Sequence, residues 1–285
     1  VFDFLQLIIY GIVLGCILAL GAVGVSLTFG ILGFANFAHG DLMTVGAYFG
    51  YIFIRQVGLP FWVSLPIACA LTVAVALTVD WTVFRPLRSR PPVILLISSF
   101  GMALILRSLI QLIWGSDQLV YEQGIQQPWR WGELNIQPDQ VIIIVGAIGL
   151  VTALHFFLQN TKVGKAMRAM ADNVDLAKIT GINTERVVMW TWILGALMAG
   201  AAGIFLGLDT QIAPTMGWRV LLLIFAATIL GGIGNPYGAI AGGLVIGLAS
   251  ELSTLVISPA YKSAVAFAIL VLMLIFKPTG LLGGR

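Results

Sequence analysis

KVGKAMRAMADNVDLAKITGINTER, Lys162 to Arg186, is a charged amphipathic stretch set between long apolar runs. It holds Lys162, Lys165, Arg168, Asp172, Asp175, Lys178, Glu185 and Arg186, eight of the 27 charged residues (15 basic, 12 acidic) in the chain. Val163, Ala166, Met167, Met170, Val174 and Ala177 recur at helical spacing, and Lys165, Arg168, Asp172 and Asp175 follow an adjacent stripe at the same period. The pattern predicts one short helix, capped by Asn160 or Thr161 and ended by Gly181 in the left-handed conformation. Such a helix, held out of the apolar layer between two membrane spans, is expected to meet a soluble partner.

Working outward, 285 residues that are 59% hydrophobic and 9% charged cannot form a soluble domain, because too few charges remain to cover its surface. The expected fold is an all-α polytopic membrane protein, a single transmembrane domain over 1 to 285. Apolar runs lie at roughly 3 to 29, 39 to 54, 61 to 83, 92 to 114, 140 to 158, 187 to 208, 219 to 233, 237 to 257 and 262 to 276. A helix needs about 20 residues to cross a bilayer. This gives 8 to 9 spans, with 39 to 54 and 219 to 233 short enough to be steep, broken or re-entrant.

Basic residues cluster at Arg85, Arg88 and Arg90, in the loop at about 159 to 186, and in the tail from Lys277 to Arg285. These segments are expected to be cytoplasmic. The loop at about 115 to 139 carries Asp117, Glu122, Glu133 and Asp139 against Arg130, with Trp114, Trp129 and Trp131 for an interfacial belt, and should face outward. The N-terminus lies outside if both of the first two runs cross, and inside if one enters and returns. Val1 to Tyr10 lacks a basic leader region, so the first segment is expected to be retained. Cys16 and Cys69 read as small core residues.

Several chemistries are missing. Gly164-Lys165-Ala166 has Gln159 where a nucleotide-binding loop needs its first glycine, and no hydroxyl follows the lysine. His39 and His155 are the only histidines, and no cysteine pair has metal-ligand spacing, so no metal site or other cofactor is expected in this chain. His155 reads as an interfacial histidine. Neither a catalytic triad nor a proton relay stands out. The chain is not expected to be an enzyme, or to bind nucleic acid.

Two glycine-rich breaks interrupt the apolar pattern. Gly30 to Asp41 places Asn36, His39 and Asp41 between apolar helices, and Gly231 to Gly238 places Asn235 at the start of another run. Non-helical backbone near the membrane must be buried in protein or line a water-filled path. Paired breaks in the two halves of a chain point to a substrate pathway in transporters. A helix starting after Asn36 within the membrane would turn its N-terminal amides toward an anionic group. The plainer alternative is two tight turns, with Asn36 and Asp41 capping. Glu251, deep in its run, must face the protein interior, with Ser250, Ser253 and Thr254 as hydrogen-bond partners in a packing or a pathway role. Arg107 needs a carboxylate or carbonyl partner that the sequence does not name.

Several segments together resemble a known family. They are Asn36-Phe37-Ala38-His39-Gly40-Asp41-Leu42-Met43 with Gly46-Ala47-Tyr48, Arg85-Pro86-Leu87-Arg88, the Gly164 to Asn183 loop, and Ala260-Tyr261-Lys262 through Phe276-Lys277-Pro278-Thr279-Gly280-Leu281. Their order and spacing resemble the LivH-type permeases of branched-chain amino acid ABC importers. The resemblance implies a multi-pass subunit of the bacterial plasma (inner) membrane, in contact with membrane lipid, that pairs with a LivM-like second permease. It also implies two ABC ATPase subunits that bind ATP and Mg, an extracytoplasmic solute-binding protein and a small-molecule substrate.

In such permeases a cytoplasmic helix followed by glycine, the Glu-Ala-Ala-x-x-x-Gly pattern, docks in a cleft of the ATPase. Asp175-Leu176-Ala177 followed by Gly181 fits that spacing, with Asp for Glu, Leu for the first Ala and no following proline. Lys165, Arg168, Asp172, Asp175, Ala177 and Gly181 are thus the expected docking residues, and Asn36, His39, Asp41, Asn235 and Glu251 the expected pathway residues. Closure of the ATPase dimer would move the docked helices and switch the pathway between sides. A pathway with few charges suits a neutral amino acid. Urea and short amides are handled by similar permeases, and a gradient-driven carrier or channel working without an ATPase is the competing class. A membrane enzyme acting on lipid would need a catalytic cluster that this sequence lacks.

Overall fold

The computed structural model describes residues 2–121, 128–131 and 134–283. Glu122, Glu133 and Arg285 of the segments above lie outside them. The chain is all-α apart from one small hairpin. In order it forms α1 (Phe2–Leu32), α2 (Ala38–Tyr51), α3 (Phe61–Val79), the single turn α4 (Arg85–Leu87) and α5 (Pro92–Trp114). The hairpin β1 (Trp129–Trp131) and β2 (Leu134–Ile136) follows, paired antiparallel with Arg130 opposite Asn135. The rest is α6 (Pro138–Asn160), α7 (Lys162–Asp172), α8 (Val174–Ile179), α9 (Thr184–Asp209), α10 (Met216–Gly231), α11 (Pro236–Leu252) and α12 (Lys262–Phe276). Among the described residues, seven helices are long and apolar enough to cross a membrane, and α10 is a shorter apolar helix. α2 is 14 residues long and runs on into a π-helical turn at Ile52–Gln56.

The three basic segments share one end. Arg85 and Arg88 pair with Glu185, which follows the charged loop. The tail returns to the second break, where the Leu281 and Leu282 amides donate to the Leu230 and Gly231 carbonyls. Arg168 and Asp172 border a cavity of about 590 Å³ with Gly234 and Asn235. The bias of basic residues makes this the cytoplasmic end. At the opposite end, Gln6 exchanges hydrogen bonds with the Asn135 backbone, and Leu119 pairs with Ile212. The start of α1 is therefore outward, and the chain returns toward that end through the short α2 and the π-helical turn after it.

α1 and α9 form the core, because their small residues let other backbones approach. Gly11, Gly15 and Ala19 on α1 meet Gly243, Leu244, Gly247 and Leu248 on α11 in antiparallel register, with no room for a Cβ at Gly243 or Gly247. In lipid, where apolar side chains gain nothing by leaving the solvent, such close packing is a main source of helix association. On α9, Gly200 packs against Gly46 and Gly203 against Met43 of α2.

The charged loop differs from the single helix expected. Asn173 adopts an extended conformation (φ −159°, ψ 108°) and its side-chain oxygen accepts from the Leu176 amide, ending α7 and starting α8. Asparagine offers the backbone this local alternative to helix, so one residue divides the amphipathic run. Thr161 caps α7 by accepting from the Gly164 amide, and Gly181 leaves α8 at φ +85°. Glu185 belongs to the first turn of α9.

Candidate functional site

At the first break, α1 ends near the cytoplasmic face and the chain turns back, so that α2 starts inside the apolar layer. Asn36 caps it, its side-chain oxygen accepting from the Ala38 amide, and the Phe37 amide donates to Ser99 Oγ on α5. Asn36 is 1% exposed and its Nδ2 has no partner among the described residues. His39 is buried with its ring against Gly24 of α1, a position that has no room for a side chain. Asp41 does not cap. It is fully buried and takes a bidentate pair from Arg107 of α5, 3.0 Å at each oxygen, which is the partner that Arg107 lacked in the sequence. The guanidinium lies 4.9 Å from the ring centroid of Trp218 on α10.

Trp218 leads to an aromatic wall. Phe100 packs edge-on against Trp218 at 5.8 Å and against Phe37 at 6.3 Å, and Phe37 meets Phe225 at 5.3 Å. Phe100 is 42% exposed, and Leu222, one turn on from Trp218, is 47% exposed. No described element covers this face of α5 and α10.

α10, like α2, begins inside the apolar layer. Its Gly217 backbone rests on Gly40, and the Gly217 amide donates to Thr44 Oγ1 at 3.1 Å. A Cβ at Gly217 would collide with the Gly40 carbonyl, so glycine sets this crossing. Next along α2, Met43 packs on Gly203 and Gly46 on Gly200 of α9, about 9–14 Å inside the outward end of that helix at 1.5 Å per residue. Arg219, in the first turn of α10, is exposed at this depth. A guanidinium facing lipid there would cost several kcal/mol, about 2.5–3.5 at the centre of a span. The face carrying Arg219, Trp218, Phe100 and Phe37 therefore looks toward a protein partner or water.

Of the expected pathway residues, the structure brings Asn36, His39 and Asp41 together at the start of α2. All three lie inside the chain's own packing, and only Asp41 reaches the aromatic face, through Arg107. Asn235 is elsewhere, at the cytoplasmic end. It caps α11 by accepting from the Tyr237 and Gly238 amides and donates to the Leu282 carbonyl. Glu251 is at the outward end of α11, where Lys262 holds it at 2.7 Å. The Ser253 and Thr254 hydroxyls bond the carbonyls of Ser250 and Glu251 instead, so the partners expected for Glu251 are corrected. No signal in the sequence marks the cluster of Phe37, Phe100, Arg107 and Trp218 or the exposed Arg219 beside it.

On the cytoplasmic side, Met167, Met170 and Ala177 are buried, with Val163, Ala166 and Val174 packed behind them. The apolar stripe anchors the loop to its own chain, and Ala177, 3% exposed, is part of that packing. Lys165, Asp172, Asp175 and Gly181 are exposed. So are two apolar side chains, Leu176 at 56% and Ile179 at 81%. Arg168, exposed as well, donates to Gln159 at 2.7 Å, while Gln159 and His155 both reach the Tyr237 hydroxyl, at 3.1 and 3.0 Å. His155 is thus part of a bridge from α6 and α7 to the start of α11. At the far side of the loop, Arg88 binds Asp80 at 2.6 Å and Glu185 at 3.1 Å. The pair α7–α8 is thus braced at both ends.

The family profile described as branched-chain amino acid transport system / permease component matches residues 7–274. The chain belongs to that family. It is a multi-pass membrane protein and a permease component. Similar to it is the high-affinity branched-chain amino acid transport system permease protein LivH of Escherichia coli K12, 34% identical over 98% of this chain and 96% of that protein. BraD of Pseudomonas aeruginosa, with the same description, is 31% identical over 99% and 97%. A probable LivH of Methanocaldococcus jannaschii is 30% identical over 94% and 89%. In fold it is also similar to PsaBC from Streptococcus pneumoniae in complex with Fab, with a TM-score of 0.53 and 16% identity over 96% of this chain and 92% of that one. In a permease of this family the uncovered face of α5 and α10 and the braced loop α7–α8 are two separate surfaces, one within the membrane and one outside it.

Proposed function

We propose that this chain forms one half of the translocation pathway of an ATP-driven importer for neutral, branched-chain amino acids in the plasma (inner) membrane. A LivM-like permease supplies the other half, two ATPase subunits bind ATP and Mg and carry out hydrolysis, and an extracytoplasmic solute-binding protein delivers the substrate. The observation that carries this reading is the uncovered face of α5 and α10. It has an exposed guanidinium at membrane depth and an aromatic wall beside it, and so needs a partner and an aqueous path.

A branched aliphatic side chain can slide along Phe37, Phe100 and Trp218 without leaving any buried polar group unpaired. On the cytoplasmic side, Leu176 and Ile179 are the apolar contacts for an ATPase, with Lys165, Asp172 and Asp175 around them. Movement there passes through Arg168, Gln159 and Tyr237 to α11, which is packed along α1.

The test is transport by the chain reconstituted in lipid vesicles with its partner permease, ATPases and binding protein. We expect leucine uptake that stops without ATP or without the binding protein, and no uptake of urea or acetamide. Uptake of urea in place of leucine would overturn the substrate assignment.

A further inference from the structure

We infer that Arg219 is an anion-binding residue of the pathway and receives the α-carboxylate of the passing amino acid; this rests on the pathway reading above. Arg219 has no ion pair among the described residues, whereas Arg107 beside it is fully engaged by Asp41. It sits in the first turn of α10, at the positive end of the helix dipole. The start of α2 reaches the same level, at the Gly40–Gly217 crossing. Asp41 is spent on Arg107, so the region carries one guanidinium in excess. Trp218, Phe100 and Phe225 lie alongside and offer no charge, which leaves an apolar surface for a side chain next to a cation for a carboxylate. A planar guanidinium holds a carboxylate through two parallel hydrogen bonds, which an ammonium cannot do with the same directionality.

Leu222 provides a probe, because it is exposed and three residues from Arg219 on the same helical face. Cys16 and Cys69 are buried, so an introduced thiol is the reactive one in this chain, and labelling is read on this chain after the subunits are separated. In the reconstituted complex, Leu222→Cys is labelled with an anionic sulfonate and a cationic ammonium thiosulfonate reagent, each rate divided by its rate with a free thiol. We expect the anionic reagent to be favoured about tenfold, leucine to slow labelling, and the preference to vanish in Leu222→Cys with Arg219→Gln. Arg219→Gln is also expected to lower leucine uptake tenfold or more with the complex recovered in normal yield, and Arg219→Lys to retain more of it.

Absence of labelling with and without nucleotide, or no preference for the anion while Arg219 is present, overturns the inference. A preference for the cationic reagent once Arg219 is removed does so as well, since it would reveal a carboxylate of the second permease as the true partner. Failure of the wild-type complex to take up leucine would count against the pathway reading itself. Normal uptake by Arg219→Gln would sink only this inference.

Discussion

Arg107→Met is expected to destabilise the permease by about 3–5 kcal/mol, because it strands a buried carboxylate whose only charged partner among the described residues has gone. Asp41 is fully buried and both of its oxygens are bound by the guanidinium. The pair as a whole need not stabilise the fold, since desolvating two ions roughly cancels their attraction; removing one of them is what costs. Asp41→Leu combined with Arg107→Met should therefore recover most of the loss. The measurement is thermal unfolding of purified protein in one detergent for the wild type, the single variant and the double variant. A single variant as stable as the wild type would mean that Asp41 has water or another cation in the folded protein. The double variant should still transport poorly, because Arg107 also sets Trp218 against Phe100 at the uncovered face.

Leu176→Asp with Ile179→Asp is expected to abolish uptake while the two permeases remain associated. Burying a leucine or isoleucine side chain is worth about 1.5–3 kcal/mol, so two such contacts with an ATPase are worth about 3–6 kcal/mol. An exposed ion pair at Lys165 or Asp175 is worth about 0–1 kcal/mol. Both apolar residues point away from the chain's own packing, so the substitution leaves the fold alone. Recovery of the ATPase with the tagged permease should fall at least tenfold, and charge reversal at Lys165 should change it little. If Lys165→Glu detaches the ATPase and the apolar pair does not, the docking surface is electrostatic and this assignment is wrong.

The membrane fold was legible because the apolar runs are long and the turns between them carry the charges. Even the shortness of 39 to 54 and 219 to 233 was visible, and it corresponds to α2 and α10 starting inside the layer. The charged loop was legible as amphipathic helix, but its division at Asn173 was not, since one cap in a periodic run leaves the period intact. Ion pairs were out of reach for a different reason. Glu251 meets Lys262 across the turn between two helices, and Asp41 meets Arg107 across 66 positions, contacts that tertiary packing makes and local pattern does not record. Arg219 read as the flank of an apolar run. Only the contact of Gly217 with Gly40 places it deep enough for its charge to need an explanation. Ala177 was matched to the Glu-Ala-Ala-x-x-x-Gly pattern, which does not record that the chain's own packing buries it.

Operation of this permease as half of a pathway driven by separate ATPase subunits is the function proposed above. Its most direct test is to purify the chain from its native membrane in mild detergent, identify by mass spectrometry what travels with it, and assay ATP hydrolysis and vesicle uptake of the preparation. We expect a second permease and ATPase subunits in fixed proportion, with ATP hydrolysis and ATP-dependent uptake. Recovery of the chain alone, moving solute in vesicles without ATP, would contradict it and establish a gradient-driven carrier or channel.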